Sequence, residues 1–507
     1  MTGQLKFVFC ILALLLIKSV CGQDTANFHL YGGAGEDKFG GITSTFDSGF
    51  AVIGSTGTFG NGNSDLYLLK LDSNLAVSWT KTIGGNGIET GTSIVQLPDS
   101  GFLIAGSVNN LFDAQSYDGY LVRTDAQGSV LWDSKIGGTE LDFFYSATFT
   151  TDSAFVAVGE TKSFGNGASD VYVVKVDSVG DVVWTKTFGE TGEDIARKII
   201  PTIDSQLLIV GQKSSTVSTD SYVLKLNNDG DTTWTGVYGG ALFDAANGVV
   251  ETSDSGFAVI GSTASFGPGP KDLDVYIYKL DKNGVQEWDT IHGNIINNSN
   301  DSTDDVGNDI IQLSDDRFVF IGSTKSFGFG GTTFDLYAVR TDTVGLWLSG
   351  PTFGGTENDE GQSVLLLPDG SFVFAGTTKS FGSGFNDILV VKRPNVFTPT
   401  TTIHTIHTDS LPFTTSLPAG TTSPNTYQLK VYPNPASDIV TFSLIGGEVS
   451  GNHELTVHNS LGQQIASTSI NNKKFVLDTT SWGAKGLYHY RITQNGKVAI
   501  TGKLIVQ

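Results

Sequence analysis

The chain has 507 residues, among them 63 Gly, 32 Phe, 15 Tyr, one Met and two Cys. That length calls for several modules or a repeat array. Its glycine and aromatic content points to short strands joined by turns, against a helical bundle or a doubly wound α/β enzyme. The net charge of −22 argues against phosphate backbones and anionic lipid, so nucleic acid is not an expected partner.

Residues 1–22 carry Lys6, an apolar run from Phe7 to Ile17, and small residues at Ser19 and Gly22. This reads as a secretory signal peptide, too short to span a membrane. Lys18 and Val20 stand where a lipoprotein signal at Cys21 needs an apolar and a small residue. Cleavage near Gly22 would remove Met1, Cys10 and Cys21, leaving no disulfide, thiol nucleophile or cysteine-bound metal. No later run of 18 apolar residues offers a membrane span.

Residues 23–394 repeat one unit seven times. Each reads as a GG doublet, an acid, an apolar strand, D-S-G-F, a second strand, S-F-G-x-G, then D-x-Y-x-x-K-x-D-x-x-G and a strand with Trp. The Tyr position recurs at Tyr67, Tyr120, Tyr172, Tyr222, Tyr276 and Tyr337, with Leu389 seventh. Trp79, Trp132, Trp184, Trp234 and Trp288 follow their Tyr by 12 residues and Trp347 by 10. A shift of two keeps a side chain on the same strand face, so Trp347 is expected to fill the same gap. A period of 50 to 61 residues with four strands predicts a propeller blade. The last unit stops at Lys392-Arg393-Pro394 without its Trp strand. Residues 24–31 resemble that strand, predicting an all-β, seven-bladed β-propeller closed by its N-terminal strand. Residues 23–393 carry 47 acids and 21 bases, a balance of −26.

Residues 395–428 are rich in Thr, Ser and Pro without Lys or Arg, an extended linker. Asp409-Ser410-Leu411 within it resembles a bacterial O-glycosylation acceptor. Residues 429–507 then read as a small Ig-like β-sandwich of alternating strands, with Trp482 as filling. They carry Tyr432-Pro433-Asn434-Pro435, the turn Asn459-Ser460-Leu461-Gly462, Gly486-Leu487-Tyr488, and Gly502-Lys503-Leu504-Ile505-Val506. In that order these motifs resemble the type IX secretion (Por) type A sorting domain of Bacteroidota. The resemblance implies a partner in the type IX secretion machinery, passage through the outer membrane, removal of the domain and attachment to surface lipopolysaccharide. The repeat region resembles the propellers often joined to this domain, which implies a fold and no settled activity.

Catalytic motifs are sparse. His29 and His292 are the repeat region's histidines, and both read as structural. No zinc-protease, nucleophile-elbow or phosphate-loop motif occurs. The GG doublets invite a kelch reading, which the Tyr-to-Trp spacing does not fit. Two acidic rings recur instead. One comprises Asp37, Glu89, Asp142, Asp194, Asp244, Asp305 and Asp359, and the other Asp65, Asp118, Asp170, Asp220, Asp274, Asp335 and Asp387. Clustered carboxylates admit calcium as a cofactor, but sevenfold recurrence favours caps on backbone N–H groups, and no other metal or cofactor is expected. A ligand site should break the symmetry. Three residues after the first ring the units differ: Gly40, Thr92, Tyr145, Arg197, Asn247, Asn308 and Gln362. With Phe143 and Phe144 they would surround a channel mouth on the long-loop face and suit a neutral polar ligand, a glycan especially. A long insertion, His292 to Asp309, marks the sixth unit. These residues predict an exported, surface-attached propeller that binds a glycan or protein. The rivals are a polysaccharide lyase or glycosidase, and a structural adhesin.

Overall fold

The computed structural model describes residues 27–109, 116–267, 272–293, 303–328, 333–382 and 385–394, with the short stretches 406–408 and 415–416. Of the C-terminal module it describes 428–432, 439–445, 453–459, 464–470, 474–480, 482, 486–494 and 497–506. All regular structure among these residues is β, and the chain divides into two compact units between residues 419 and 420. The proposed signal peptide lies outside the described residues.

The first unit repeats one antiparallel sheet. In residues 37–83 its strands are Asp37–Ser44, Phe50–Thr56, Asp65–Leu71 and Val77–Ile83, bonded in chain order. The order recurs over residues 89–136, 142–188, 195–238, 244–292 and 305–353. A seventh sheet takes three strands from residues 359–393 and its fourth, Asn27–Tyr31, from the other end of the repeat region. Phe28 lies opposite Val391 and Tyr31 opposite Ile388.

Packing explains the strand composition. Phe50–Thr56 and Asp65–Leu71 are buried along their whole length, because neighbouring sheets cover both faces and apolar residues need not alternate. Tyr31, Phe39, Phe50 and Tyr67 share a core cluster with Val373, Ile388 and Val390, which joins the first sheet to the seventh. The outer strand Val182–Phe188 alternates between exposed and half-buried positions, as an edge strand should.

Acids of the tight turns pair with cations on the third strands. In Asp47-Ser48-Gly49 it is Ser48, at φ 65°, that adopts the left-handed conformation. Gly49 is needed for space: a Cβ there would lie 2.2 Å from the Leu71 carbonyl oxygen. Lys70 is buried, and its ammonium reaches Asp47 at 2.8 Å and the Leu71 carbonyl at 3.0 Å. Lys175, Lys225 and Lys279 repeat this tether with Asp152, Asp204 and Asp254. A cation unpaired at such a depth would be costly, so the Asp of the turn and the Lys of the third strand recur together.

Five Trp residues each clamp the next sheet. The Trp79 ring lies under Gly128, where a Cβ would come 2.7 Å from it, and sits 6.4 Å from the Phe102 ring. Trp132, Trp184, Trp234 and Trp288 meet Gly180, Gly230, Gly284 and Gly345 in the same way. Trp347 departs from the expectation. In the first sheet Trp79 pairs with Lys70 and Val77 with Leu71, leaving Ser78 as a bulge between them. Trp347 pairs with Thr341, the counterpart of Leu71, and so stands at the Val77 position, where the bulge reverses the parity. Its ring therefore turns back to Phe327 at 5.4 Å and His292 at 6.0 Å. Phe353 takes over the gap to the seventh sheet, 5.4 Å from Phe28.

Of the linker, Ile406–Thr408 pairs in parallel with Phe28–Leu30, and Thr415–Ser416 with Thr82–Ile83. The second unit has a sheet of Gln428–Tyr432, Ile439–Ile445 and Lys474–Asp478. Its other sheet comprises Gln464–Ser469, His453–Asn459, Gly486–Gln494 and Lys497–Val506. Val440, Phe442, Leu455, Val457, Trp482 and Ile492 form its core.

Candidate functional site

The two acidic rings come together as pairs at the seams between sheets. The third strand of one sheet starts at a second-ring Asp, and the first strand of the next starts at a first-ring acid. Asp65 and Glu89 flank Gly84, where a Cβ would fall 2.2 Å from one carboxylate and 2.7 Å from the other. Gly32, Gly137, Gly189 and Gly239 are flanked likewise by Asp387 and Asp37, Asp118 and Asp142, Asp170 and Asp194, and Asp220 and Asp244. The backbone repeats the pairing: Glu89, Asp194, Asp305 and Asp359 donate their N–H to Ser64, Ser169, Leu273 and Phe334. Asp37 donates to Asn386 at 2.8 Å, so the seam of the first and seventh sheets has the same bond.

Every first-ring acid is buried. The Gly33, Gly138, Gly240 and Gly355 N–H groups donate to Asp37, Asp142, Asp244 and Asp359 at 2.7 to 2.9 Å. The Glu190 N–H donates to Asp194 at 2.8 Å. Thr56, Thr161, Thr324 and Thr378 hydroxyls donate to Asp37, Asp142, Asp305 and Asp359. Burial, and then the charge of Asp65, pushes the Glu89 carboxyl up to about 7. Burial, and then the charges of Asp305, Asp272 and Asp304, brings Asp274 to about 7, and burial brings Asp305 to about 6. The first-ring acids hold the loops together through these bonds, and burial makes Glu89, Asp274 and Asp305 resist ionisation. Among the described residues no group of three or more His, Asp or Glu is arranged to hold a metal.

The candidate binding residues have a common geometry. Gly40, Thr92, Tyr145, Arg197, Asn247, Asn308 and Gln362 are each the bulged residue of a first strand, skipped by the register of the pairing with the second strand. First strands of consecutive sheets touch, as do those of the seventh and first. Most bulge side chains bond within the protein. The Thr92 hydroxyl donates to the Phe144 carbonyl at 2.8 Å, Asn247 to Gly307 at 3.0 Å, and Asn308 to Gly361 at 2.7 Å. Gln362 accepts from Thr377 at 3.0 Å.

Tyr145 and Arg197 differ. The Arg197 guanidinium lies 5.1 Å from the Tyr145 ring centroid, and the Tyr145 hydroxyl donates to Glu160 at 2.5 Å. Phe143 stacks on Tyr145 at 6.2 Å and Tyr117 meets Phe143 at 5.4 Å. Four half-buried residues from three sheets thus form an aromatic ladder ending in a cation, with a carboxylate at its side. Burial and the Glu160 charge push the Tyr145 phenol well above its ordinary range, so it acts as a donor and platform. Phe144 is not part of it. It is fully buried, stacks on Tyr172 at 5.8 Å, and packs against Gly119, because adjacent strand residues face opposite ways.

Sequence reading missed Tyr117 and Glu160. Glu160 is the one acid at a position, just after the Gly of the second strand, that the other units fill with Ser55, Ser107, Gln212, Ser262, Ser323 and Thr377. It also missed Lys198, which reaches Asp309 at 3.8 Å from the fourth sheet to the sixth. His292 sits in a core role, its Nε2 2.8 Å from the Gly345 carbonyl, and His29 stacks on Tyr31 at 6.2 Å. Of the sorting motif, Tyr432 pairs opposite Thr441, Gly486 opposite Val506 and Lys503 opposite His489. Tyr488 is buried and its hydroxyl donates to the Trp482 carbonyl at 3.1 Å. Pro433, Asn434, Pro435 and Gly462 lie outside the described residues.

Comparison with known proteins matches residues 430–507 to the model of a secretion system C-terminal sorting domain. The regulatory protein FlaEY of Caulobacter vibrioides is 25% identical over 203 residues, 35% of this chain, and the match spans only 21% of that protein. Among solved structures, PorZ, an essential surface component of the type IX secretion system of Porphyromonas gingivalis, has a TM-score of 0.37 at 10% identity. That likeness covers 90% of this chain and 58% of PorZ, less than two thirds of its length. The polysaccharide lyase Uly1 has a TM-score of 0.42 at 9% identity, covering 72% of this chain and 90% of that one. No described helix is long and apolar enough to cross a membrane. Residues 430–507 are a type IX secretion C-terminal sorting domain, and they mark a chain of repeated four-stranded β-sheets for export to the cell surface.

Proposed function

We propose that the seven sheets form a closed seven-bladed β-propeller, and that this propeller, displayed at the cell surface, binds a glycan at the mouth of its central channel. Closure is supported by the Asn27–Tyr31 strand in the seventh sheet and by the Asp37 to Asn386 bond, which repeats the seam found between consecutive sheets. In this arrangement the bulge residues of the first strands surround the channel.

One observation carries the binding reading. Three of the seven bulge side chains donate to the backbone of the next sheet, whereas Tyr145 and Arg197 join Tyr117, Phe143 and Glu160 in a half-buried aromatic and charged wall. Sugar rings stack on such faces, and the guanidinium fork and carboxylate match paired hydroxyls. A glycan array probed with the full chain should give ligands that the Tyr145→Ala/Arg197→Ala double variant loses. Full retention of binding by that variant would remove this site. Turnover of a polysaccharide, abolished by Glu160→Gln, would replace the binding reading with an enzymatic one.

A further inference from the structure

A second concavity lies where the repeat breaks, between the fifth sheet, residues 244–292, and the sixth, residues 305–353. It has a volume of about 490 Å³, and its lining includes Phe266, Thr290, His292, Gly293, Phe327 and Trp347. It depends on the reversal of Trp347, which brings an indole to this side that the other sheets direct the other way.

Three properties define what it can hold. The first is aromatic surface. Phe266, Phe327 and Trp347 remain about two-fifths exposed, and the Phe327 and Trp347 planes are inclined at 51°. Rings tilted in this way wall a space instead of filling it. The second is a shortage of hydrogen-bonding side chains. Thr290 offers a hydroxyl, while the His292 Nε2 is engaged with the Gly345 carbonyl. A neutral sugar needs several converging polar groups and is poorly served here.

The third property is a cluster of carboxyls close behind the wall. Gly267 and Gly293 rest on the Asp274 carboxylate: a Cβ would fall 1.6 Å from its Oδ2 and 1.5 Å from its Oδ1, respectively. Asp274 is buried. Asp272, Asp304 and Asp305 all act on Asp274 electrostatically. Lys325 lies 2.8 Å from Asp304.

We propose that this pocket binds a small molecule through a quaternary ammonium group, held over the aromatic faces of Trp347, Phe327 and Phe266 with the Asp274 carboxyl cluster behind them. A cation with an apolar shell gains from ring quadrupoles and needs no hydrogen-bond acceptor, which suits this lining. The site is separate from the Tyr145–Arg197 wall, so either can fail without the other.

The probes are choline, its uncharged carbon isostere 3,3-dimethylbutan-1-ol, and methyl glucoside, titrated into the full chain by calorimetry or ligand-observed NMR. Choline should bind with a Kd on the order of 1 mM, and the isostere at least about tenfold more weakly. Trp347→Ala and, independently, the more exposed Phe266→Leu should each weaken choline at least about fivefold, with Trp347→Phe restoring most of the affinity. At about pH 8.5, above the value of about 7 to which burial raises the Asp274 carboxyl, Asp274→Asn keeps the shape and removes the charge, and should weaken choline by about threefold or more. Equal binding of choline and its isostere, preferential binding of the glucoside, or no choline binding at about 50 mM would overturn the proposal. Unchanged choline affinity in both ring variants would do the same.

Discussion

Replacing Glu89 by Gln should stabilise the protein at alkaline pH, although it removes a charged group from a repeated motif. Glu89 is 5% exposed and faces Asp65 across Gly84. Its carboxyl is raised from 4.5 to about 7, first by burial and then by the Asp65 charge. The folded pKa exceeds the unfolded one, so between those values the folded protein keeps a proton that the unfolded chain has released. That contribution to stability is fully present below about pH 4.5 and is lost as pH rises through about 7. At about 1.4 kcal/mol per pH unit, the gap bounds the cost of ionising Glu89 in the fold at about 3 kcal/mol, and solvent relaxation at the seam reduces this to about 2. Gln keeps the side-chain shape, can still accept from a Gly N–H, and can donate to Asp65. The Glu89→Gln protein should therefore gain about 1–2 kcal/mol over the parent at pH 8 and almost nothing at pH 4.5. Urea unfolding of both proteins across pH 4.5 to 8.5 measures the difference directly. A variant less stable than the parent at pH 8, or a difference that does not change with pH, would refute the reasoning.

Two further expectations concern architecture and export. Gly128→Ala should lower the melting midpoint by several degrees in a thermal scan, because φ there is +73° and a Cβ would lie 2.7 Å from the Trp79 ring; left-handed strain and displacement of the Trp together cost about 2–3 kcal/mol, and an unchanged midpoint would contradict the clamp. Removal of residues 430–507 should abolish surface display, measured by protease shaving or surface labelling of intact cells; normal display of the truncated chain would contradict the export role.

Local rules made much of the fold legible. The spacing of Tyr67, Trp79 and their counterparts exposed the period, and the sixfold Tyr with its D-x-x-G turn marked the sheets, because a repeat array buries each unit against the next by the same contacts. The signature of the C-terminal module was also local, carried by short motifs such as Gly486-Leu487-Tyr488. The candidate site was legible only as a list of positions that vary. The seven bulge residues could be named from their offset to the first acidic ring, but not sorted into those bonded to backbone and those left to form a wall. Phe144, expected at the channel mouth, is instead fully buried against Tyr172. Its neighbour Phe143 joins the ladder, and one step along a strand moves a side chain from one face of the sheet to the other.

The amino-acid order alone determined the strand-rich repeat, the uneven charge and the sorting module, since composition, period and motif are properties of neighbouring residues. Tertiary structure alone decided which distant groups meet. Asp37 and Asp387 are 350 positions apart, yet flank one glycine. Tyr117, Phe143, Tyr145 and Arg197 come from three different sheets. The direction of Trp347 turned on a single bulged residue, which reverses every side chain beyond it and which no count along the chain reveals.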